Sequence, residues 1–226
     1  MCRKSTSCVL LGDEPGAWSR MSPLPPPGWF ADQLLLFNKA VEHAAAGDRA
    51  AAINILRTIR SDEIRLWFDE HGQVSGNKRA RRLGIMAPKF PADQYDLVRS
   101  PSKLEKAVYA RDSYTCRYCG LKQVAKEVLY AFEKAVGTEA FRTQGTNAQQ
   151  HGIIHGFKIV ADHVVPYKRG GRTDMENLVS ACPSCNYGKE AFTIEQLGLD
   201  DPRLRPPIDN GWDGLLSFLP ELKKMA

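Results

Sequence analysis

The stretch "FKIVADHVVPYKRGGRTDMENLVSACPSCN", residues 157–186, decides the fold. Its first third is rich in β-branched residues and ends at Pro166, so it predicts a strand that finishes near His163 to Val165. "YKRGGRTDMEN" is too polar and too rich in turn residues to continue that strand and predicts a loop. "LVSA" then predicts a short second strand that delivers the chain to Cys182, and Pro183 suits the first position of a helix running into "NYGKEAFTIEQL". Strand, loop, strand and helix in this order make an α+β unit.

Two cysteine pairs frame that unit. "CRYC" carries Cys116 and Cys119, and "CPSC" carries Cys182 and Cys185. A two-residue gap lets a tight turn aim both thiolates at one ion, so the two pairs together supply the tetrahedral sulfur set of a structural zinc. A redox role would need only one pair beside a βαβ pattern, and no such pattern is present. Between the pairs, "KQVAKEVLYAFEKAVG" is helical, with Val124, Val128, Phe132 and Val136 on one face. "TQGTNAQQHGIIHG" reads as an extended loop, with His151 and His155 as loop residues rather than metal or phosphate ligands.

Upstream, residues 1–28 contain Pro15, Pro23, Pro25, Pro26 and Pro27 with little apolar content, and predict a mobile leader in which Cys2 and Cys8 are incidental thiols. Residues 29–73 predict three helices: one carrying Phe30, Leu34, Phe37 and Val41, one capped by Asp48, and one opening at Ser61 or Asp62 with Ile64, Trp67 and Phe68. His43 and His71 fall near helix ends, where a cation suits the macrodipole better than ligation does. Residues 74–103 predict a basic linker, with Lys78, Arg79, Arg81 and Arg82 either solvated or on phosphates. Residues 201–226 predict a turn followed by a tail that packs Trp212, Leu215, Leu216 and Phe218.

Composition narrows the function. The chain has 226 residues, 43% of them apolar and 25% charged, with a formal charge of +5. That size buries a real core, and the excess of cations favours an anionic partner without requiring one. No apolar run approaches the roughly 20 residues of a bilayer span. The short Val9-Leu10-Leu11 stretch is too little for a secretion signal, so a cytoplasmic protein with reduced cysteines is expected.

Taken in order, the cysteine pairs, Asp162-His163 followed by Val-Val-Pro, the Gly170-Gly171 loop, "ENL", and "CPSCN" with Lys189 three residues on resemble the HNH endonucleases, the ββα-metal nucleases, in their zinc-stapled treble-clef form. The resemblance covers residues 104–200. It implies that His163 is the general base and Asp162 a ligand of one divalent cation, Mg2+ or Mn2+. Asn186 would be the second protein ligand, where some relatives have His, and Asn177 would hold the loop near His163. Cys116, Cys119, Cys182 and Cys185 would hold Zn2+. Lys168, Arg169 and Arg172 in the loop would grip phosphates, with Lys189 and Arg111 as further candidates beside Lys78, Arg79, Arg81 and Arg82. Each residue also has a plainer reading: Asp162 and His163 as polar residues at a strand end, Asn177 as a turn cap. The implied activity is hydrolysis of DNA, expected to be double-stranded, leaving 5′-phosphate and 3′-hydroxyl ends. The competing expectations are a treble-clef module that binds nucleic acid without cutting it, and RNA cleavage by the same centre. The N-terminal helices would add DNA contacts, or serve as scaffold or homodimer contact.

Overall fold

The computed structural model describes residues 2–86, 99–206 and 208–225. Among these, helices dominate: α1 (Trp29–Ala45), α2 (Arg49–Leu56), α3 (Ser61–Glu70), α4 (Ser75–Leu83), α5 (Glu105–Arg111), α6 (Lys126–Val136) and α7 (Gly152–Phe157) precede the site-bearing unit. That unit is β1 (Val160–His163), β2 (Leu178–Ala181) and α8 (Pro183–Lys189), followed by α9 (Ile194–Leu197) and α10 (Leu219–Met225). β1 and β2 form a two-stranded antiparallel sheet with Val160 opposite Ala181 and His163 opposite Leu178. The molecule is therefore a mixed α+β structure with very little sheet.

An isolated two-stranded sheet is marginal in water, so these strands need cover. All four β2 residues are buried. α5 supplies part of the cover. Its last residue, Arg111, donates to the Met175 and Leu178 carbonyls at 2.7 and 2.8 Å, and the adjacent, fully buried Asp112 accepts from the Ser180 amide at 2.8 Å.

The N-terminal helices form no separate body. Phe30 and Phe37 of α1 pack with Phe132 of α6, Phe157 of α7 and the intervening Phe141 in one core, which also takes in Ile64 and Trp67 of α3 and Leu215 and Leu222 of the tail. Phe37 meets Phe132 edge-on at 5.1 Å and stacks on Phe141 at 5.4 Å. Each such ring contributes about 2–3 kcal/mol by burial. A second, smaller core surrounds the cysteines and contains Tyr118, Val164, Val179, Ala181, Ile194, Leu197 and Leu199.

Three sequence expectations change here. The leader is not a loose arm: Cys2, Cys8, Trp18 and Leu24 are buried. The basic run is helix α4 rather than a linker; residues 87–98 of the expected linker lie outside the described residues. α4 is helical because tertiary contacts consume its charge. Buried Arg79 donates to the Leu197 carbonyl at 2.7 Å and to the Ser22 and Pro23 carbonyls at 3.3 Å, with its guanidinium over Trp18 at 5.1 Å. Finally, the expected loop before Phe157 ends in α7. His151 caps it by accepting from the Ile153 amide at 3.3 Å, and burial depresses the imidazole to about 4, which keeps the capping nitrogen unprotonated.

Candidate active site

Asp162 and His163 are neighbours on a strand, so their side chains start toward opposite faces. They nevertheless line the same cleft, of about 380 Å³, together with Asn186, Tyr187 and Glu190 of the α8 end and Arg99, Pro166, Tyr167 and Lys168 of the opposite wall. The strand ends at His163, so the strict alternation of faces need not hold beyond Asp162. Asp162 is 5% exposed and sits at the base.

Two groups fix the Asp162 carboxylate. The Tyr118 hydroxyl donates to Oδ2 at 2.6 Å, and the Lys189 ammonium lies 3.2 Å from the same oxygen. Tyr118 is the third residue of "CRYC" and is fully buried, so the first cysteine knuckle reaches directly into the site. Lys189 is also fully buried and donates to the His163 carbonyl at 2.7 Å. This single amine ties the end of α8 to both residues of the Asp-His pair. Burial of the Tyr118 phenol and the adjacent Asp162 charge push its ionisation well above the ordinary value, so it stays a donor.

His163 is half-buried. Its Nε2 lies 2.9 Å from the Thr173 hydroxyl, and burial holds the imidazole below its ordinary value. Asn177 bridges the loop that carries both residues. Its Nδ2 donates to the Val165 and Arg172 carbonyls at 3.0 and 2.8 Å, and its Oδ1 accepts from the Val165 amide at 2.9 Å. Gly171 is compelled by the same closure, because a Cβ there would stand 1.8 Å from the Val165 oxygen.

The four cysteines behind the cleft are reduced, and their sulfurs lie within 4.8 Å of one another. Cys119 and Cys182 are 3.7 Å apart, against the roughly 3.8 Å that tetrahedral zinc–thiolate geometry requires. Cys116, Cys182 and Cys185 are buried. The donor set fits a structural zinc.

The expected phosphate contacts divide sharply. Arg81 and Arg82 of α4 and Lys168 and Arg172 of the loop are exposed, and Arg169 is half-buried. Arg172 shares its charge with Asp174 at 3.5 Å. Lys78, Arg79, Arg111 and Lys189 are instead internal fasteners. Lys78 is 5% exposed and donates to the Ser5 carbonyl, Arg79 and Arg111 bond main-chain carbonyls as described, and Lys189 faces Asp162. His155 is likewise structural, buried against Phe68 with its Nε2 3.2 Å from the Asn147 carbonyl.

Sequence reasoning missed Tyr118, Thr173, Arg99 and Glu190. Tyr118 sits between the first two cysteines, Thr173 in the polar loop and Glu190 just past Lys189, each without a pattern that marks its side chain, and Arg99 lies upstream of the motifs. Glu190 follows α8 with φ +49°, and burial raises its carboxyl above the ordinary value.

Residues 153–192 match the HNH endonuclease family. The matched HNH segment runs from α7 through α8 and contains Asp162, His163, Asn177, Asn186 and the second cysteine pair, whereas Cys116, Cys119 and Tyr118 lie outside it. No curated protein and no solved structure shows significant similarity to the chain. No helix of the described residues is long and apolar enough to cross a membrane.

Proposed function

We propose that this chain is a metal-dependent endonuclease that hydrolyses DNA phosphodiester bonds and leaves 5′-phosphate and 3′-hydroxyl ends. The observation that carries this reading is the convergence of Asp162, His163 and Asn186 on one cleft within the HNH segment. His163 is the general base. With the Thr173 hydroxyl donating to the Arg99 carbonyl at 3.5 Å, its oxygen is left to accept from His163 Nε2, which is the tautomer whose Nδ1 lone pair takes the proton from the attacking water. Burial favours the neutral imidazole, the form a base needs.

Asp162 and Asn186 hold the divalent cation, Mg2+ or Mn2+. Two oxygen donors on one cleft wall suit a hard ion that retains several waters. When bound, the cation stabilises the negative charge that develops on the phosphoryl group and the departing oxygen. Asn177 orients the loop, and Tyr118 and Lys189 orient Asp162. Exposed Lys168 and Arg172 and half-buried Arg169, with Arg99 across the cleft, receive the flanking phosphates, and Arg81 and Arg82 offer a more distant contact. Zn2+ on the four cysteines holds the knuckle, and so Tyr118, in place. Double-stranded DNA is the substrate expected to fill the open cleft.

Plasmid nicking in Mg2+ and Mn2+, beside His163→Ala, tests the reading. The variant is expected to lose about 10²–10⁴-fold in rate. Equal nicking by both proteins, or none by the wild type on duplex, branched or single-stranded DNA, would reject it. One observation favours a zinc module that binds nucleic acid without cutting it: Asp162 already has two partners, Tyr118 and Lys189. Binding without cleavage in every divalent ion is the outcome that module would give, and cleavage of RNA alone would reassign the substrate.

A further inference from the structure

Cys2 and Cys8, which the sequence reads as incidental thiols, are both buried, and they meet His71 at the C-terminal end of α3. The two sulfurs and a ring nitrogen all lie within 4.8 Å of one another. The Cys8 sulfur is 3.4 Å from His71 Nδ1. Zinc bound to one thiolate and one imidazole at ordinary bond lengths holds sulfur and nitrogen about 3.6 Å apart, so this spacing already suits a shared ion.

The backbone around Cys8 provides a second, independent observation. In the knuckle of the four-cysteine site, the Gly120 amide donates to the Cys116 carbonyl at 2.9 Å, Gly120 has φ +76°, and the Cys119 amide is directed at the Cys116 sulfur. The same turn recurs four residues after Cys8. The Gly12 amide donates to the Cys8 carbonyl at 3.0 Å, Gly12 has φ +74°, and the amides of Leu11 and Leu10 are directed at the Cys8 sulfur. A Cβ on either glycine would meet nothing within 4 Å, so the left-handed φ alone calls for glycine at both. "CVLLG" thus has a metal knuckle's backbone with leucine in place of its second cysteine, and Cys2 and His71 supply the donors that this replacement removes.

We propose that Cys2, Cys8 and His71 form a second zinc site, with the fourth position open to water. Two thiolates and an imidazole are the donors of a borderline-soft ion, and three protein ligands are enough for zinc. The site would fasten the leader onto the turn that follows α3. That turn backs the catalytic unit: a Cβ on Gly72 would come within 3.0 Å of Ser184 Oγ, and Ser184 lies between Cys182 and Cys185. The second ion therefore braces, from outside, the same helix that carries Asn186 and Lys189.

Metal analysis of the purified full chain is the test, and about two zinc equivalents are expected. Cys8→Ala and His71→Ala should each retain about one equivalent, and His71→Cys should restore the second, which a merely packing role for His71 would not produce. Cobalt loading gives a readout that does not depend on the variants folding. The wild type should show ligand-field bands of a mixed sulfur–nitrogen site beside those of the four-thiolate site. A single zinc in the wild type, unchanged by Cys8→Ala, would overturn the proposal. So would a Cys2–Cys8 disulfide found by intact-mass measurement in freshly prepared protein.

Discussion

At the scale of single residues, the site turns on what neutralises Asp162. A buried carboxylate needs a partner, and Lys189 and Tyr118 provide one charge and one hydrogen bond. Lys189→Met removes the charge and leaves the acid uncompensated, which should cost about 3–5 kcal/mol of stability in metal-free buffer. A cation bound by Asp162 would replace the missing charge, so added Mg2+ should narrow the gap in Tm between variant and wild type. A gap that is the same with and without Mg2+ would show that Asp162 is not a ligand. The sequence made Asp162, His163 and Asn186 visible because their order and spacing are local. Lys189 was visible too but was assigned to phosphate, because nothing in "CNYGK" says that α8 turns its last basic residue inward. Tyr118 and Thr173 were hidden for a related reason: each meets its partner through a chain reversal, 44 residues away for Tyr118 and 10 for Thr173.

At the scale of elements, two strict contacts close the loop between β1 and β2. Asn177 closes it through three bonds to Val165 and Arg172, and Gly171 passes so near the Val165 carbonyl that any side chain would collide. Gly171→Ala must therefore displace the segment that carries Lys168 and Arg169 and that adjoins His163. Cleavage should fall by roughly 10–100-fold, the usual penalty for disturbing groups that orient a site, while far-UV circular dichroism and zinc content stay unchanged. Full activity in this variant would mean that the loop does not position the base. Helix periodicity made α1, α2, α3 and α6 readable, and β-branched residues ending at proline made β1 readable. α4 and α7 were misread because their sequences are polar or glycine-rich. What makes them helical is long-range: Arg79 reaching the Leu197 carbonyl for α4, and Gly152 donating from its amide to Ser61 Oγ at 2.7 Å for α7.

At the scale of the molecule, the two cores divide the labour. The larger one, built on Phe30, Phe37, Phe132 and Phe157, is mainly apolar, whereas the smaller one encloses the four cysteines, whose donor set fits zinc, and a zinc held there would contribute to its order. Removal of zinc by a strong chelator should therefore uncouple them. Amides of the knuckle, the two strands, α8 and α9 should exchange rapidly, while those of α1, α3, α6 and α7 remain protected, because local opening follows the boundary between cooperative units. Hydrogen exchange with peptide-level readout distinguishes this from the alternative. Simultaneous loss of protection everywhere would mean that the contacts between α3, α7 and α8 bind the cores into one unit. The packing decides which is expected. Gly76 meets the Gly188 carbonyl too closely for any side chain, and Gly188 meets Ser75 Oγ and the Gly72 carbonyl in the same way, so α4 and α8 touch backbone to backbone. That contact sets the position of Asn186 and Lys189 but lies on the side of the smaller core, against which Ala80 of α4 packs, and the apolar link from the larger core to the strands runs through Leu178 and Ala161. With so few apolar side chains shared between the cores, the site-bearing unit should open first.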